Sequence, residues 1–240
     1  MFIMKNLVLL LCFFISLSVS ASEYGVYSPD KYSLKQNGEE MTLFIMDFSS
    51  SMDEYLENDT KFDLMLSTMK KILPTINPNS LVGLRVYGHK MGFTPFDACR
   101  ASSLIVPIQR GNGYNIHYNL TQLKPKGMTP ITYSLKQAVK NDFIGFSGKK
   151  HIILLTDGGE NCDESPCKFV MELIKVRKDI IIDVIAFNID NPDDIAQLQC
   201  TSLVTSGKFY SANTAAELAN SLTNSLNVHK EVEAKILPNP

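Results

Sequence analysis

An apolar run that stops abruptly at a carboxylate constrains the fold of this chain more than any other stretch. Residues 42–52 (TLFIMDFSSSM) predict a buried strand that delivers Asp47, Ser49 and Ser51 into a loop. Side chains two residues apart on an extended backbone point the same way, so these three offer one charged and two neutral oxygens to a hard cation. The alternative is that Ser51 is the N-cap of the helix that follows.

Residues 1–21 predict a secretory signal peptide. Lys5 lies near the start, residues 7–15 are apolar, and the small residues at 19–21 (VSA) form a cleavage site. The apolar run is too short for a membrane span, and no later segment reaches the roughly 18 uncharged apolar residues that a span needs. We therefore expect an exported protein, periplasmic or secreted, with no transmembrane segment in the mature chain.

The charge of the chain excludes two classes of partner. The formal net charge is -2 and the arginines are scattered, so neither a nucleic-acid surface nor a membrane-binding basic helix is indicated. The roughly 220 residues after the signal suit one α/β domain, which we place at 41–228. Residues 22–40, which are polar and turn-rich, are predicted to be an N-terminal extension, and residues 229–240 a flexible tail.

The cysteines of the mature chain predict disulfide bonds. Cys12 lies within the apolar run and is interpreted as part of the signal peptide. The remaining candidates are Cys99, Cys162, Cys167 and Cys200. Four cysteines in an exported chain predict two disulfides with three alternative connectivities. A local bridge between the second and third is the simplest and would leave the first with the fourth, but the sequence does not decide. A metal site is less suited to them, because no C-x-x-C pair occurs and the histidines do not cluster.

Apolar strands alternate with amphipathic helices along the rest of the chain. Strands are predicted at 42–47, 81–87, 103–108, 151–156 and 180–187 and around Phe209, and helices at 62–73, from 129, at 165–177, at 193–204 and from 214. The short connection between the second and third strands favours an antiparallel pair. Strands that are apolar throughout imply a sheet covered on both faces. The predicted fold class is α/β, a doubly wound and mostly parallel central sheet with one antiparallel edge strand.

Polar residues at the carboxyl edge of this sheet form a candidate metal site. In doubly wound sheets, ligands lie at the carboxyl ends of strands, near the point where the strand order reverses. Asp47 and Asp157 each end an apolar strand, and Thr129, at the start of a helix, can reach the same edge. The alternative is that both aspartates are turn residues or interact with helix dipoles.

Three segments carry a resemblance to a known family. Residues 47–51 (DFSSS), 127–130 (GMTP) and 155–158 (LTDG) resemble the three parts of the metal-ion-dependent adhesion site of von Willebrand factor type A (VWA) domains. The resemblance spans nearly all of 41–228. Residues 81–89, 129–135 and 157–162 are most similar to exported bacterial members related to chloride-channel accessory proteins. Ser50 stands where many members have glycine, a departure that removes no ligand.

The resemblance implies a role for each residue of the site. Ser49 and Ser51 would coordinate a cation directly, Thr129 directly or through water, and Asp47 and Asp157 mostly through water. The implied cation is Mg²⁺, with Mn²⁺ or Ca²⁺ as alternatives. Neutral hydroxyl ligands leave the cation electrophilic, so an acidic side chain of a protein partner can complete its coordination shell.

Other acidic residues near these segments are interpreted as structural. Asp53 and Glu54 are expected in a first helical turn, where carboxylates favour the helix dipole. Glu160, Asp163 and Glu164 are expected to form an acidic rim, not a calcium cage. We therefore leave all of them out of the candidate site.

The sequence favours a binding protein over an enzyme. A carboxylate after a first strand also begins the phosphatases related to haloacid dehalogenases, in which a second aspartate two residues on acts as the acid. Here that position is Ser49, which cannot act as a general acid near neutral pH. We predict a non-enzymatic, exported binding or adhesion protein that captures an acidic group of a protein partner. The alternatives are a structural or assembly component with a stabilising cation and, less favoured, a Mg²⁺-dependent phosphatase-like hydrolase.

Overall fold

The computed structural model describes residues 40–236, with side chains described through residue 227. The predicted signal peptide at 1–21, the extension up to residue 39 and residues 237–240 of the predicted tail lie outside this range. The strands are β1 (Met41–Asp47), β2 (Tyr55–Leu56), β3 (Asp59–Thr60), β4 (Leu81–Tyr87), β5 (Ser102–Gln109), β6 (Lys150–Thr156), β7 (Ile180–Phe187) and β8 (Phe209–Ala212). The helices are α1 (Lys61–Ile72), α2 (Pro95–Ala98), α3 (Gly113–Gln122), α4 (Ile131–Gln137), α5 (Pro166–Val176), α6 (Pro192–Val204) and α7 (Ala215–Ile236).

Six strands form one sheet in the order β5-β4-β1-β6-β7-β8. β4 and β5 pair antiparallel, and the other neighbouring strands pair parallel. This arrangement confirms the predicted fold class, including the antiparallel edge strand. The chain leaves β1 towards β4 and β5 and later returns to β6 on the other side of β1. The strand order therefore reverses between β1 and β6, where doubly wound sheets bind ligands.

Both faces of the sheet are buried, which explains why its strands are apolar at nearly every position. Alternate residues of β1 enter two separate cores. One core contains Phe44 and Met46 with residues of α1 and α7. The other contains Leu43 and Ile45 with residues of α4, α5 and α6. β1 is therefore fixed from both sides, and the loop that follows it starts from a rigid base.

A short hairpin separates the serine loop from the first long helix, and it corrects two expectations. Residues Ser50–Asp53 form a short 3₁₀ helix, which β2 and β3 follow before α1 begins. The N-cap of α1 is Thr60, whose hydroxyl accepts a hydrogen bond from the amide of Asp63. Ser51 is therefore not the cap of α1. Glu54 is not in the first turn of that helix, because the hairpin intervenes.

Two helix boundaries differ from the sequence expectation. α4 begins at Ile131, and Pro130, which was predicted at the first helical position, is its N-cap. α7 continues through Ile236, beyond the predicted end of the domain at Val228. No proline interrupts the chain between residue 215 and Pro238, so nothing in the sequence stops the helix earlier. Among the described residues, no helix combines the length and apolarity that crossing a membrane requires.

The four cysteines form two disulfides, but not the simplest local pair. Cys99 bonds Cys162 and Cys167 bonds Cys200. The loop after β4 and the loop after β6 lie at the same edge of the sheet, which brings Cys99 beside Cys162 with Cα atoms 5.5 Å apart. Cys167 begins α5, which packs against α6, the helix that carries Cys200. The pairing follows from which loops and helices meet, so nearness in sequence was a poor guide.

Candidate metal centre

Asp47 ends β1 and is held by hydrogen bonds within the protein. Its Oδ1 accepts a bond of 2.7 Å from the Ser49 amide. Its Oδ2 accepts from the hydroxyls of Tyr87 at 2.9 Å and Thr156 at 2.8 Å. The carboxylate is fully buried. Its bond to the amide two residues later forms an Asx-type turn, which sets the path of the serine loop after the strand.

The two serines of this loop contact each other and Asp157. The Ser49 and Ser51 hydroxyl oxygens lie 3.0 Å apart. The Ser51 hydroxyl donates a hydrogen bond of 2.7 Å to Asp157 Oδ1. Asp157 follows β6, which pairs with β1 in parallel, so the two strands end side by side. Hydrogen bonds therefore connect four of the five predicted site residues, namely Asp47, Ser49, Ser51 and Asp157.

Thr129 reaches the site through the backbone before it. Gly127 forms a bridge with Ser49, and its carbonyl accepts a 3.0 Å bond from the Ser50 amide. Thr129 is buried, and its amide donates to Asn161 Oδ1 at 2.7 Å. Within residues 40–227, its hydroxyl forms no hydrogen bond. The structure thus places this segment against the serine loop and leaves the Thr129 hydroxyl unengaged.

Two glycines let three loops pass close together at the site. Gly88, directly after β4, has a positive φ of 72°, and a Cβ there would lie 2.5 Å from the Ser49 amide nitrogen. A Cβ on Gly127 would lie 2.4 Å from the Lys90 carbonyl oxygen. Neither position can carry a side chain without moving the backbone. Sequence reasoning missed Gly88, although its place directly after an apolar strand was a usable signal.

Lys61 is the main site residue that sequence reasoning missed. Its ammonium lies 3.0 Å from Asp157 Oδ2 and 2.8 Å from Glu54 Oε2, and its side chain is almost fully buried. Burial alone would lower the pKa of Lys61, but the hydrogen bonds and charges of Glu54 and Asp157 outweigh it and raise that pKa. Asp157 therefore offers one oxygen to Ser51 and the other to a cation that the protein itself supplies.

No family model matches the sequence. Two proteins of Bacillus subtilis (strain 168) are similar to it along most of their length. The uncharacterized protein YwmD is 26% identical over 199 residues, which is 80% of this chain and 87% of YwmD. The uncharacterized protein YwmC is 25% identical over 208 residues, which is 83% of this chain and 90% of YwmC. These relatives add no functional information.

Solved structures show which fold the chain has. The von Willebrand factor type A structure from Catenulispora acidiphila matches with a TM-score of 0.61 and 16% identity, over 79% of this chain and 42% of that one. The fold is that of a VWA domain. Proximal thread matrix protein 1 from the mussel byssus, with a zinc-occupied MIDAS motif, matches with a TM-score of 0.61 and 19% identity, over 80% of this chain and 46% of that one. The pilus adhesin SpaC of Lactobacillus rhamnosus GG matches with a TM-score of 0.62 and 15% identity, over 80% of this chain and 30% of that one.

The electrostatics of the candidate site favour a positive charge beside Asp47. Burial raises the pKa of Asp47 to about 7, and the negative charge of Asp157 adds to this effect. Hydrogen bonds from Ser49 and Thr156 lower it only in part. Without a cation, Asp47 therefore holds its proton to a much higher pH than an exposed aspartate does. Burial also raises the pKa of Tyr87 well above 10, so its hydroxyl remains a donor to Asp47.

The donor atoms of the candidate site fit a hard divalent cation. They are carboxylate and hydroxyl oxygens, which suit Mg²⁺ and Mn²⁺ better than soft metals. Within the described residues, no three His, Cys, Asp or Glu side chains group together in a way that could hold a metal ion. A cation at this edge of the sheet would therefore need the Ser and Thr hydroxyls that the resemblance implies, which stays a prediction.

Glu160 differs from its sequence expectation. It is not part of an exposed acidic rim, because its carboxylate accepts hydrogen bonds from the amides of Thr132 at 2.7 Å and Cys162 at 3.0 Å. Partial burial raises the pKa of Glu160, which those hydrogen bonds offset only in part. Glu160 therefore joins the loop after β6 to the start of α4. The neighbouring Asn161 also joins these two segments, because its side-chain oxygen accepts a hydrogen bond from the Thr129 amide.

Proposed function

We propose that this VWA domain is a non-enzymatic binding or adhesion protein that captures an acidic group of a protein partner through a divalent cation. The observation that carries the proposal is the contact of Ser51 with Asp157, which joins two loops that are 106 residues apart in sequence. The zinc-occupied MIDAS motif of a structural neighbour supports cation binding. The cation ligands would be Asp47, Ser49, Ser51, Thr129 and Asp157.

The charge of the site favours capture of a partner carboxylate. A bound Mg²⁺ supplies an electrophilic position that a carboxylate oxygen of a partner can occupy. Ser49 and Ser51 are neutral donors, and Lys61 neutralises part of the charge of Asp157. The negative charge around the cation is therefore less than the two aspartates alone would give, which favours an additional carboxylate.

The environment of Asp47 supports a binding role over phosphatase chemistry. Both of its oxygens accept hydrogen bonds from within the protein, and the side chain is fully buried. A nucleophilic carboxylate has to reach its substrate, which this one cannot do without breaking those bonds. Ser49 is the residue two positions on, and it has no acidic proton to give at neutral pH. The adhesin among the structural neighbours agrees with a binding role.

Export is part of the proposal. The two disulfides support an oxidising compartment, since such bonds persist in exported proteins and are rare in the cytosol. The predicted signal peptide at 1–21 gives the route. The mature protein would then meet its partner in the periplasm or outside the cell.

Calorimetry tests the cation site. We expect Mg²⁺ and Mn²⁺ to bind the mature protein at one site, and Asp157→Ala to weaken that binding about 10- to 100-fold because it removes a negative charge that holds the cation mostly through water. Asp53→Asn is the matched control, because Asp53 is an exposed carboxylate on the same loop. A folded wild-type protein that binds neither ion would overturn the proposal.

Thr129→Ala separates partner capture from a purely structural cation. We expect this variant to keep its melting temperature, because the Thr129 hydroxyl forms no hydrogen bond to the described residues. It should lose the chelator-sensitive binding of a partner taken from the exported fraction. If the cation only stiffens the loops, chelator should lower the melting temperature and leave partner binding unchanged. Partner binding that survives both chelator and Thr129→Ala would favour that structural role.

A further inference from the structure

Apolar side chains are exposed next to the cation site. Residues 90–97, which we call the aromatic loop, are exposed throughout. They include Met91, Phe93 and Phe96, with exposed fractions of 71%, 104% and 63%. Tyr55 of the β2–β3 hairpin is 79% exposed. Together these are four of the ten large exposed hydrophobic side chains in the described part of the chain, and they come from only two loops.

Both loops begin at the site itself. The aromatic loop follows Gly88, which touches the Ser49 amide, and starts at Lys90, whose carbonyl lies against Gly127. Tyr55 follows Glu54, the residue that shares Lys61 with Asp157. The exposed side chains are therefore carried by segments in direct contact with the proposed ligands.

The aromatic loop is held in place by several bonds. Cys99 fastens its end to Cys162, in the loop that follows Asp157. The Thr94 hydroxyl accepts from the Asp97 amide and donates to its carboxylate, closing the turn that begins α2. The Arg100 guanidinium lies 3.5 Å from the centroid of the Phe96 ring. A loop fixed in this way presents its aromatic residues at a small entropic cost on binding.

We propose that the aromatic loop and Tyr55 bind apolar residues that flank the acidic residue of the partner. The partner is then a protein segment in which an acidic residue lies next to aromatic or aliphatic residues. Exposed apolar side chains around a polar centre are typical of protein interaction sites. Lys90 lies in the aromatic loop and the Arg100 guanidinium lies over the Phe96 ring, so two exposed cations accompany this loop and favour an acidic segment. This inference rests on the proposed function and specifies its partner.

A displayed random-peptide library is the probe for this inference. The mature protein is immobilised with Mg²⁺, and bound peptides are released with chelator. We expect the released peptides to share an acidic residue with apolar neighbours. Phe93→Ser should weaken their binding about tenfold or more, as loss of an aromatic anchor does. Its Mg²⁺ affinity and melting temperature should stay those of wild type, because Phe93 is fully exposed and contributes no ligand.

Tyr114→Ser is the matched control. Tyr114 is 77% exposed but begins α3, which follows the end of β5 at the opposite edge of the sheet. We expect this variant to bind the selected peptides like wild type. Equal losses for Phe93→Ser and Tyr114→Ser would overturn the inference.

The other outcomes separate this inference from the function on which it rests. Released peptides that share an acidic residue without apolar neighbours would overturn the inference and leave the proposed function standing. No chelator-released peptide from a protein that binds Mg²⁺ would overturn both. Wild-type binding to phosphatidylglycerol vesicles that Phe93→Ser abolishes and chelator does not would assign the aromatic loop to a membrane surface instead, which also overturns the inference.

Discussion

Asp47 and Asp183 are both buried carboxylates on the central sheet, yet the protein surrounds them differently. Asp47 is 0% exposed at the end of β1, and Asp183 is 1% exposed within β7. Burial raises the pKa of Asp47 to about 7. Burial acts on Asp183 in the same direction, but hydrogen bonds and charge from His151 and Ser225 outweigh it and lower the pKa. The two sites differ in charge much more than in exposure or in the number of hydrogen bonds.

The difference lies in what faces each carboxylate. Asp183 lies 3.2 Å from the His151 ring and accepts a 2.7 Å bond from Ser225, which attaches α7 to the sheet. Asp47 instead faces a second carboxylate, Asp157. The protein balances the charge of Asp183 with its own side chain and leaves that of Asp47 without a full counterpart. A buried carboxylate without a full counter-charge, such as Asp47, is a candidate position for binding an external cation.

The largest effect that sharpens this comparison is expected from Asp183→Asn. The buried carboxylate accepts hydrogen bonds from the Lys208 amide and the Ser225 hydroxyl, so we expect its replacement to cost about 3 kcal/mol in the free energy of unfolding. The loss should be the same with Mg²⁺ and with chelator. Urea denaturation measures it. Ser225→Ala, which removes a single hydrogen bond to the same carboxylate, should cost about 1 kcal/mol.

Asp47→Asn should give the opposite pattern. In chelator, we expect a cost of about 1 kcal/mol or less, because the substitution also removes an uncompensated buried charge. With Mg²⁺ at 100 times its dissociation constant, wild type should gain about 2.7 kcal/mol, and the variant should gain nothing. The same urea denaturation, with and without Mg²⁺, gives both numbers. A cost in chelator as large as that of Asp183→Asn would break the comparison.

The pH dependence of Mg²⁺ affinity should report the raised pKa of Asp47. Below a pH of about 7 the carboxyl binds a proton that the cation must displace, so the dissociation constant should rise about tenfold per pH unit. Without a cation, acid has the opposite effect on folding: protonation of Asp47 stabilises the folded protein, whereas it weakens Mg²⁺ binding. Because the folded state binds this proton more tightly than the unfolded state does, the contribution of Asp47 to stability should increase as the pH falls from 7 towards 3.8.

Calorimetry across the neutral and mildly acidic range measures the pH dependence of Mg²⁺ affinity. Asp183 should not contribute to the pH dependence of stability in this range. Its pKa is lowered, so its contribution to stability is present above 3.8 and is lost only as the pH falls further. A Mg²⁺ affinity that does not change with pH would contradict the assigned environment of Asp47.

The smallest effect is expected from Lys61→Met. This variant removes the ammonium that binds Asp157 Oδ2, so the site becomes more negative and one carboxylate oxygen becomes available. We expect the Mg²⁺ dissociation constant to fall by about three- to tenfold, a modest change because Glu54 already balances part of the charge of this ammonium. Lys70→Met, on an exposed position of the same helix, is the control. Weaker Mg²⁺ binding in Lys61→Met would show that the ammonium orders the site.

The sequence predicted the parts of the site that depend on strand ends. Asp47 and Asp157 each end an apolar run, and parallel strands bring such ends together, so their proximity followed from the fold class. Lys61 was missed because it reaches Asp157 only after the β2–β3 hairpin turns the chain back. Tyr87 was missed because an aromatic residue at the end of an apolar strand gives no sign that its hydroxyl will bond a carboxylate.

The disulfide pairing could not be predicted from the sequence alone. Nearness in the chain favoured Cys162 with Cys167, whereas the pairing depends on which loops share an edge and which helices pack together. The path of α7 past Val228 was also missed, because its apolar pattern ends near Leu226 although the backbone stays helical. Local patterns thus determine the elements, and contacts between elements determine the rest.

The bond between Cys99 and Cys162 has a mechanical consequence. It closes a covalent ring between two cysteines that are 63 positions apart in sequence, and this ring includes both Thr129 and Asp157. When the chain is pulled from its two ends, tension passes through the sulfur atoms and bypasses that ring. At about 3.3 to 3.6 Å per extended residue, roughly 200 Å of chain is kept from lengthening. The segments carrying Thr129 and Asp157 therefore stay tethered to each other under a load that could already have peeled β1 and its serines away.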